Sequence, residues 1–163
     1  MLETMALGAA VGIAATITMD VLASLSRRFG IIVGAKGTWV GRWYLGMARG
    51  RFAHANIADA PELPGEIRIA MFGHYLIGTL LAVLYVVGTD WLGVAPDGVL
   101  PALGFGFGIA TCVFPLFLMY PCFGFGFFGV RGPSELRLFT TSLVNHLYYG
   151  FGIWWAVTLL PFP

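Results

Sequence analysis

Ile69–Thr89, IAMFGHYLIGTLLAVLYVVGT, runs for 21 residues without a charge, and its reading decides the fold. A hydrocarbon core about 30 Å thick is crossed by roughly 20 helical residues at about 1.5 Å each. Three further stretches have the same character: Thr4–Ser26 has 23 residues with Asp20 as its one charge, and Gly98–Val130 and Leu138–Pro163 have 33 and 26 residues with none. The runs are continuous rather than alternating, which argues against membrane-spanning strands. Of the 163 residues, 58% are hydrophobic and 10% charged, whereas soluble domains carry about 25% charged residues. That apolar content excludes disorder, and a net charge of +1 gives no reason to expect nucleic acid as a partner. The expected fold class is an all-α integral membrane protein, one transmembrane domain over 1–163. Its four helices, at about 4–26, 69–90, 100–120 and 138–160, form one bundle in the lipid bilayer.

The 33-residue run is too long for one span and too short for two with a turn. Pro101 suits the first turn of its helix; Pro115 predicts a bend and Pro121 an end. Cys122–Val130, with Gly124, Gly126 and Gly129 between phenylalanines, is then expected at the membrane interface or dipping back in. Cys112 and Cys122 would lie about 15 Å apart along one helix, too far for a disulfide, and read as small apolar core residues. Between the first two spans, Trp39, Trp43, Tyr44 and Met47 share one face of a short amphipathic helix expected to lie on the membrane, with Arg42 and Arg49 at its edges. Ala60–Gly65 reads as a turn into the next span.

Orientation follows from the cations. Arg27, Arg28, Lys36, Arg42, Arg49, Arg51, Arg68, Arg131 and Arg137 are all nine Lys and Arg residues, and each falls in the first or third loop. Glu3, Asp90 and Asp97 lie on the other side. The bias of cations toward cytoplasmic loops predicts both basic loops inside and both termini outside. With no basic segment before it, the first helix is not expected to be a cleaved signal. The basic loop also offers an alternative reading as a site for anionic lipid headgroups, at Arg42, Trp43, Arg49 and Arg51. His54, in that loop, reads as a surface histidine.

Polar residues inside spans need a reason, because a charge there costs about 2.5–3.5 kcal/mol on insertion scales. Asp20 lies seven residues before Arg27, His74 six after Arg68, and Asn145 and His146 eight and nine after Arg137. At about 1.5 Å per residue, these groups from three helices fall in one layer of the cytoplasmic half, with Tyr75 close by. Three readings stand side by side. The layer is polar glue between helices; or it binds a ligand or protons, at Asp20, His74, Asn145, His146 and Tyr75; or Asp20, His74 and His146 hold a divalent metal such as zinc or non-haem iron. No cofactor is required by the sequence, and His-x-x-x-His spacing is missing. Gly8 with Gly12, and Gly104 with Gly108, allow close helix approach within the chain, to a second copy, or to a partner of a membrane complex.

The string Gly12-Ile13-Ala14-Ala15-Thr16, Met19-Asp20, Arg27-Arg28-Phe29-Gly30, Gly41-Arg42-Trp43, Gly50-Arg51-Phe52-Ala53-His54, Gly65-Glu66, Gly73-His74-Tyr75-Leu76-Ile77-Gly78, Pro115-Leu116-Phe117-Leu118-Met119, His146 and Gly150-Phe151-Gly152 resembles a family of small bacterial inner-membrane proteins known as a domain of unknown function. The resemblance covers nearly the whole chain and implies a four-helix bacterial inner-membrane protein, with no activity to carry over. Family members often have glutamine where this chain has Tyr120. The leading functional expectation is an intramembrane Asp/His pocket that binds or passes a small ligand or protons from the cytoplasmic side. The alternatives are an accessory or scaffold subunit, and a metal-dependent enzyme on a lipid-like substrate; a catalytic role is the less supported of these.

Overall fold

The computed structural model describes residues 1–94 and 100–160; Asp97 lies outside the described residues. All regular elements among these residues are helical. They are α1 (Leu2–Arg28), α2 (Gly37–Met47), α3 (Glu66–Trp91), α4 (Leu100–Thr111), α5 (Tyr120–Cys122) and α6 (Leu138–Leu159), with a π-helical stretch at Phe114–Met119. Three helical stretches, Leu2–Arg28, Glu66–Trp91 and Leu103–Cys122, are long and apolar enough to cross a membrane. α6 has 22 residues and no charge, but Asn145, His146 and its aromatic residues dilute its apolar character.

α1 shows why these helices suit a membrane. Its buried stripe is small, with Gly8, Gly12, Ala15 and Thr16, while Ile13, Ile17, Val21 and Leu25 on the outer face are 47–60% exposed. Small residues inside and large apolar residues outside let helices pack closely and leave bulk for lipid. α1 lies between α3 and α6, α4 packs on α6, and α2 lies along α3. A Cβ on Gly12 would stand 2.6 Å from the Thr79 Cα, and one on Gly8 2.7 Å from the Val83 Cα. Gly108 abuts the His146 carbonyl, and a Cβ on Gly104 would stand 3.1 Å from the Gly150 carbonyl oxygen. All four seam glycines are therefore filled from within the chain. Of the readings open for Gly8, Gly12, Gly104 and Gly108, packing within the chain accounts for these contacts.

The proline-rich third span breaks where proline chemistry requires. The ring of Pro115 would crowd the carbonyl of Thr111, four residues earlier, and the regular helix stops at Thr111. The chain then winds wider over Phe114–Met119 before one last helical turn ending at Cys122. The glycine–phenylalanine segment after it turns inward. Phe123 and Phe125 are 0% and 2% exposed, packed edge-on against Trp43 and Trp39 at ring distances of 5.9 and 5.6 Å. Phe127, Phe128 and Val130 face outward.

That packing forms a second core at the basic end, beside the main core of Val11, Ala82, Val86 and Ile153. α2 supplies it with Trp39 and Trp43. The apolar stripe of α2 thus meets protein rather than lipid, and the expected membrane-lying helix is instead a cap over the basic end. A 3.6-residue apolar period reads the same in either setting.

Candidate functional site

Asp20 is carried by α1, and His74 and Tyr75 by α3. The two helices are drawn together one turn away, where Gly78 leaves no Cβ to strike the Thr16 hydroxyl. His74 Nε2 lies 3.0 Å from Asp20 Oδ1, and the Tyr75 hydroxyl donates to Asp20 Oδ2 at 3.1 Å. An ionised carboxylate only accepts, so the imidazole presents its Nε2–H. The His74 and Asp20 side chains remain 33% and 37% exposed. The carboxylate keeps unused lone pairs and an open approach, so the pair can exchange a proton or take a further donor.

His146 is not part of that pair. Its Nδ1 lies 2.7 Å from the Thr111 Oγ1, whose single proton is directed 2.7 Å to the Gly108 carbonyl; the Nδ1–H of His146 is then the donor. Among the described residues, no three His, Cys, Asp or Glu side chains come together in a way that could hold an ion. The donor set Asp20, His74 and His146 is thus not assembled, because α6 aims His146 at α4 rather than at α1. Asn145, beside it, has a buried Oδ1 with no partner.

Tyrosines tie the surrounding helices. The Tyr148 hydroxyl lies 2.6 Å from the Ser26 Oγ of α1, and Tyr149 donates to the Gly78 carbonyl of α3 at 2.5 Å. Tyr120 lies 2.6 Å from the Ser142 Oγ and donates to the Leu138 carbonyl at 3.3 Å. Tyr120 is thus a hydroxyl staple to α6.

Arg42 and Trp43 do not face headgroups. Arg42 is 3% exposed and Trp43 7%. Arg42 Nε donates to Glu66 Oε1 at 2.6 Å and Nη2 to Oε2 at 3.1 Å, while Nη1 serves the carbonyls of Ile57 and Ala60 at 3.1 and 2.6 Å. Glu66 Oε1 also accepts the Leu63 N–H at 2.7 Å. Four of the five guanidinium N–H groups are thus taken up inside the protein. Arg49 and Arg51 stay exposed. The sequence reading missed this ion pair; the signal was a lone arginine among aromatics and a lone acid opening α3. It also misplaced His54, which is 8% exposed and has no partner on either ring nitrogen. Burial, then Arg51 and Arg42, holds its pKa below the usual 6.5.

No curated protein and no solved structure matches the chain. The family model described as a protein of unknown function, DUF2938, matches residues 9–160, nearly the whole chain, so the protein belongs to the DUF2938 family.

Proposed function

We propose that this chain is a multi-pass protein of the bacterial inner membrane whose Asp20–His74–Tyr75 constellation takes up and releases protons, with a small donor-bearing ligand as its competitor for the same carboxylate. Four spans are proposed: α1, α3, the broken helix α4–α5 and α6. All nine cations then lie in the cytoplasm, and both termini outside. In that orientation the constellation sits in the cytoplasmic half of the bilayer.

The observation that carries the reading is the Asp20–His74 contact of 3.0 Å with both side chains about one third exposed. A purely structural pair inside a membrane protein gains from being closed off, since unused lone pairs in hydrocarbon are costly. An accessible carboxylate sharing a proton with imidazole suits exchange near neutral pH. Cross-helix hydrogen bonds contribute about 0.6 kcal/mol on average, too little to account for retaining a charge as glue alone.

Infrared difference spectra of the reconstituted protein between pH 5 and 8 test this. Paired carboxylate and imidazole bands are expected in the wild type; in Asp20→Asn the carboxylate band should vanish and the imidazole band should lose its pairing with it, while the protein stays folded. Identical pH-dependent spectra from wild type and Asp20→Asn would sink the proposal.

A further inference from the structure

His54 is the buried titratable group that this function leaves unused. Its imidazole sits behind the C-terminal end of α2, where a Cβ on Gly46 would stand 3.4 Å from its Nε2. Its backbone N–H donates to the Cys122 carbonyl at 2.8 Å, and the Ile57 N–H to the Phe123 carbonyl at 2.9 Å. Gly124 presses against the carbonyl of Ala55, where any Cβ would collide. His54 thus occupies the seam joining the α2 cap to the chain after α5.

A neutral imidazole has one donor and one acceptor, and here both lack partners. The imidazolium would have two unsatisfied donors and a buried charge, a far less favourable state. The groups facing it make this worse. From its own loop comes Arg51, from α2 Arg42, and across the seam the backbone carbonyl of Cys122; the acid nearest Arg42, Glu66, is already committed to that guanidinium in a bidentate pair.

The cap also borders the exchange site. Along α3, Gly41 of α2 abuts Glu66 and Tyr44 abuts Gly73, both without room for a Cβ. Gly73 is the residue before His74, so lifting α2 uncovers a flank of His74. We propose that His54 is a pH-operated latch on that seam: neutral, it keeps the α2 cap closed against the chain after α5; protonated, it loosens the cap, whose far side covers the flank of His74. The gating role rests on the exchange-site reading above; the latch itself does not.

The sign follows from the lowered pKa of the closed state. Above about pH 6.5 both closed and open forms are neutral at His54, and closure has its full stability; as pH falls below that, the open form gains the proton first. With an open-state pKa near 6.5 and a lower one when closed, the opening constant rises between pH 7.5 and 5.5, by up to about tenfold.

Hydrogen exchange by mass spectrometry on the full chain in nanodiscs reads this directly, using peptides over 52–58 and 121–126 and correcting for intrinsic exchange rates. The expected result is more opening at pH 5.5 than at 7.5, by up to about tenfold, and no such change in His54→Gln. Unchanged wild-type protection overturns the latch, as does an equal rise in His54→Gln. If that variant fails to fold, His54→Phe takes its place, and the imidazole's own titration by NMR must coincide with the rise. Failure here leaves the infrared test of Asp20 untouched, and failure there leaves the latch standing without its gating role.

Discussion

Removing one member of the Arg42–Glu66 pair is expected to undo the cap. Both residues are about 95% buried or more, and four hydrogen bonds leave the guanidinium, two to the carboxylate and two to carbonyls. The further contact with Glu62, at 3.8 Å and with that side chain 93% exposed, is screened and adds little. Two opposing effects decide the outcome. Burying the pair costs desolvation that its attraction barely offsets, so the pair as a whole contributes little to net stability. Deleting one partner, however, leaves the other charge buried and alone, which costs about 3–5 kcal/mol. Glu66→Met and Arg42→Met should each therefore lose about that much, a large share of a total stability of about 5–15 kcal/mol. The double change to Met at both positions should be no worse than the poorer single variant, giving a coupling of about 3 kcal/mol. Reversible unfolding in bicelles, followed by tryptophan emission from the cap, measures all four members of the cycle. Single variants within about 1 kcal/mol of wild type, or a strictly additive double variant, would refute the reasoning.

Gly41→Ala should be as damaging as loss of the ion pair, because the added methyl would fall on the Glu66 backbone carbonyl, which cannot swing aside; the same unfolding assay checks it. Tyr120→Phe removes the hydroxyl that reaches Ser142 and Leu138 and leaves a buried serine oxygen short of a partner, so about 1–3 kcal/mol should be lost; wild-type stability in that variant would show the staple to be idle. For the proposed topology, cysteines at positions 2 and 36 labelled in intact cells with an impermeant thiol reagent should react at 2 and not at 36, and the reverse pattern would invert it.

Helix extents were legible because they follow from membrane thickness and the rarity of charge. The expected 4–26, 69–90 and 138–160 compare with Leu2–Arg28, Glu66–Trp91 and Leu138–Leu159, differences of up to three residues at an end. The break at Pro115 was legible for a local reason: the clash is with the fourth residue before it, whatever the surroundings. What each face meets was not. Trp39, Trp43 and Tyr44 make an apolar stripe that is identical toward lipid or toward protein, and only the inward turn of Phe123 and Phe125 decides between them. The shared depth of Asp20 and His74 could be read from rise per residue. Rotation about the helix axis could not, and rotation is what separates His146, turned to Thr111, from Asp20.

The polar residues of this chain fall into two kinds, and depth or burial alone does not sort them. Arg42, Tyr120 and Ser142 have donors engaged within the protein, and both Glu66 carboxylate oxygens accept from it. Asp20 and His74 are paired but open, while the His54 ring and the Asn145 carboxamide oxygen are closed but unpaired. A saturated group responds to mutation through stability, at any pH. An unsaturated one responds through the proton or ligand that completes it. Across a substitution series, losses at Arg42, Glu66 and Tyr120 should therefore be independent of pH from 5.5 to 7.5. Changes at Asp20 and His54 should be small in stability and should flatten a pH dependence. Measured stability against pH for both sets decides it: a steep pH dependence that survives both Asp20→Asn and His54→Gln would mean that the titrating group lies elsewhere in the chain.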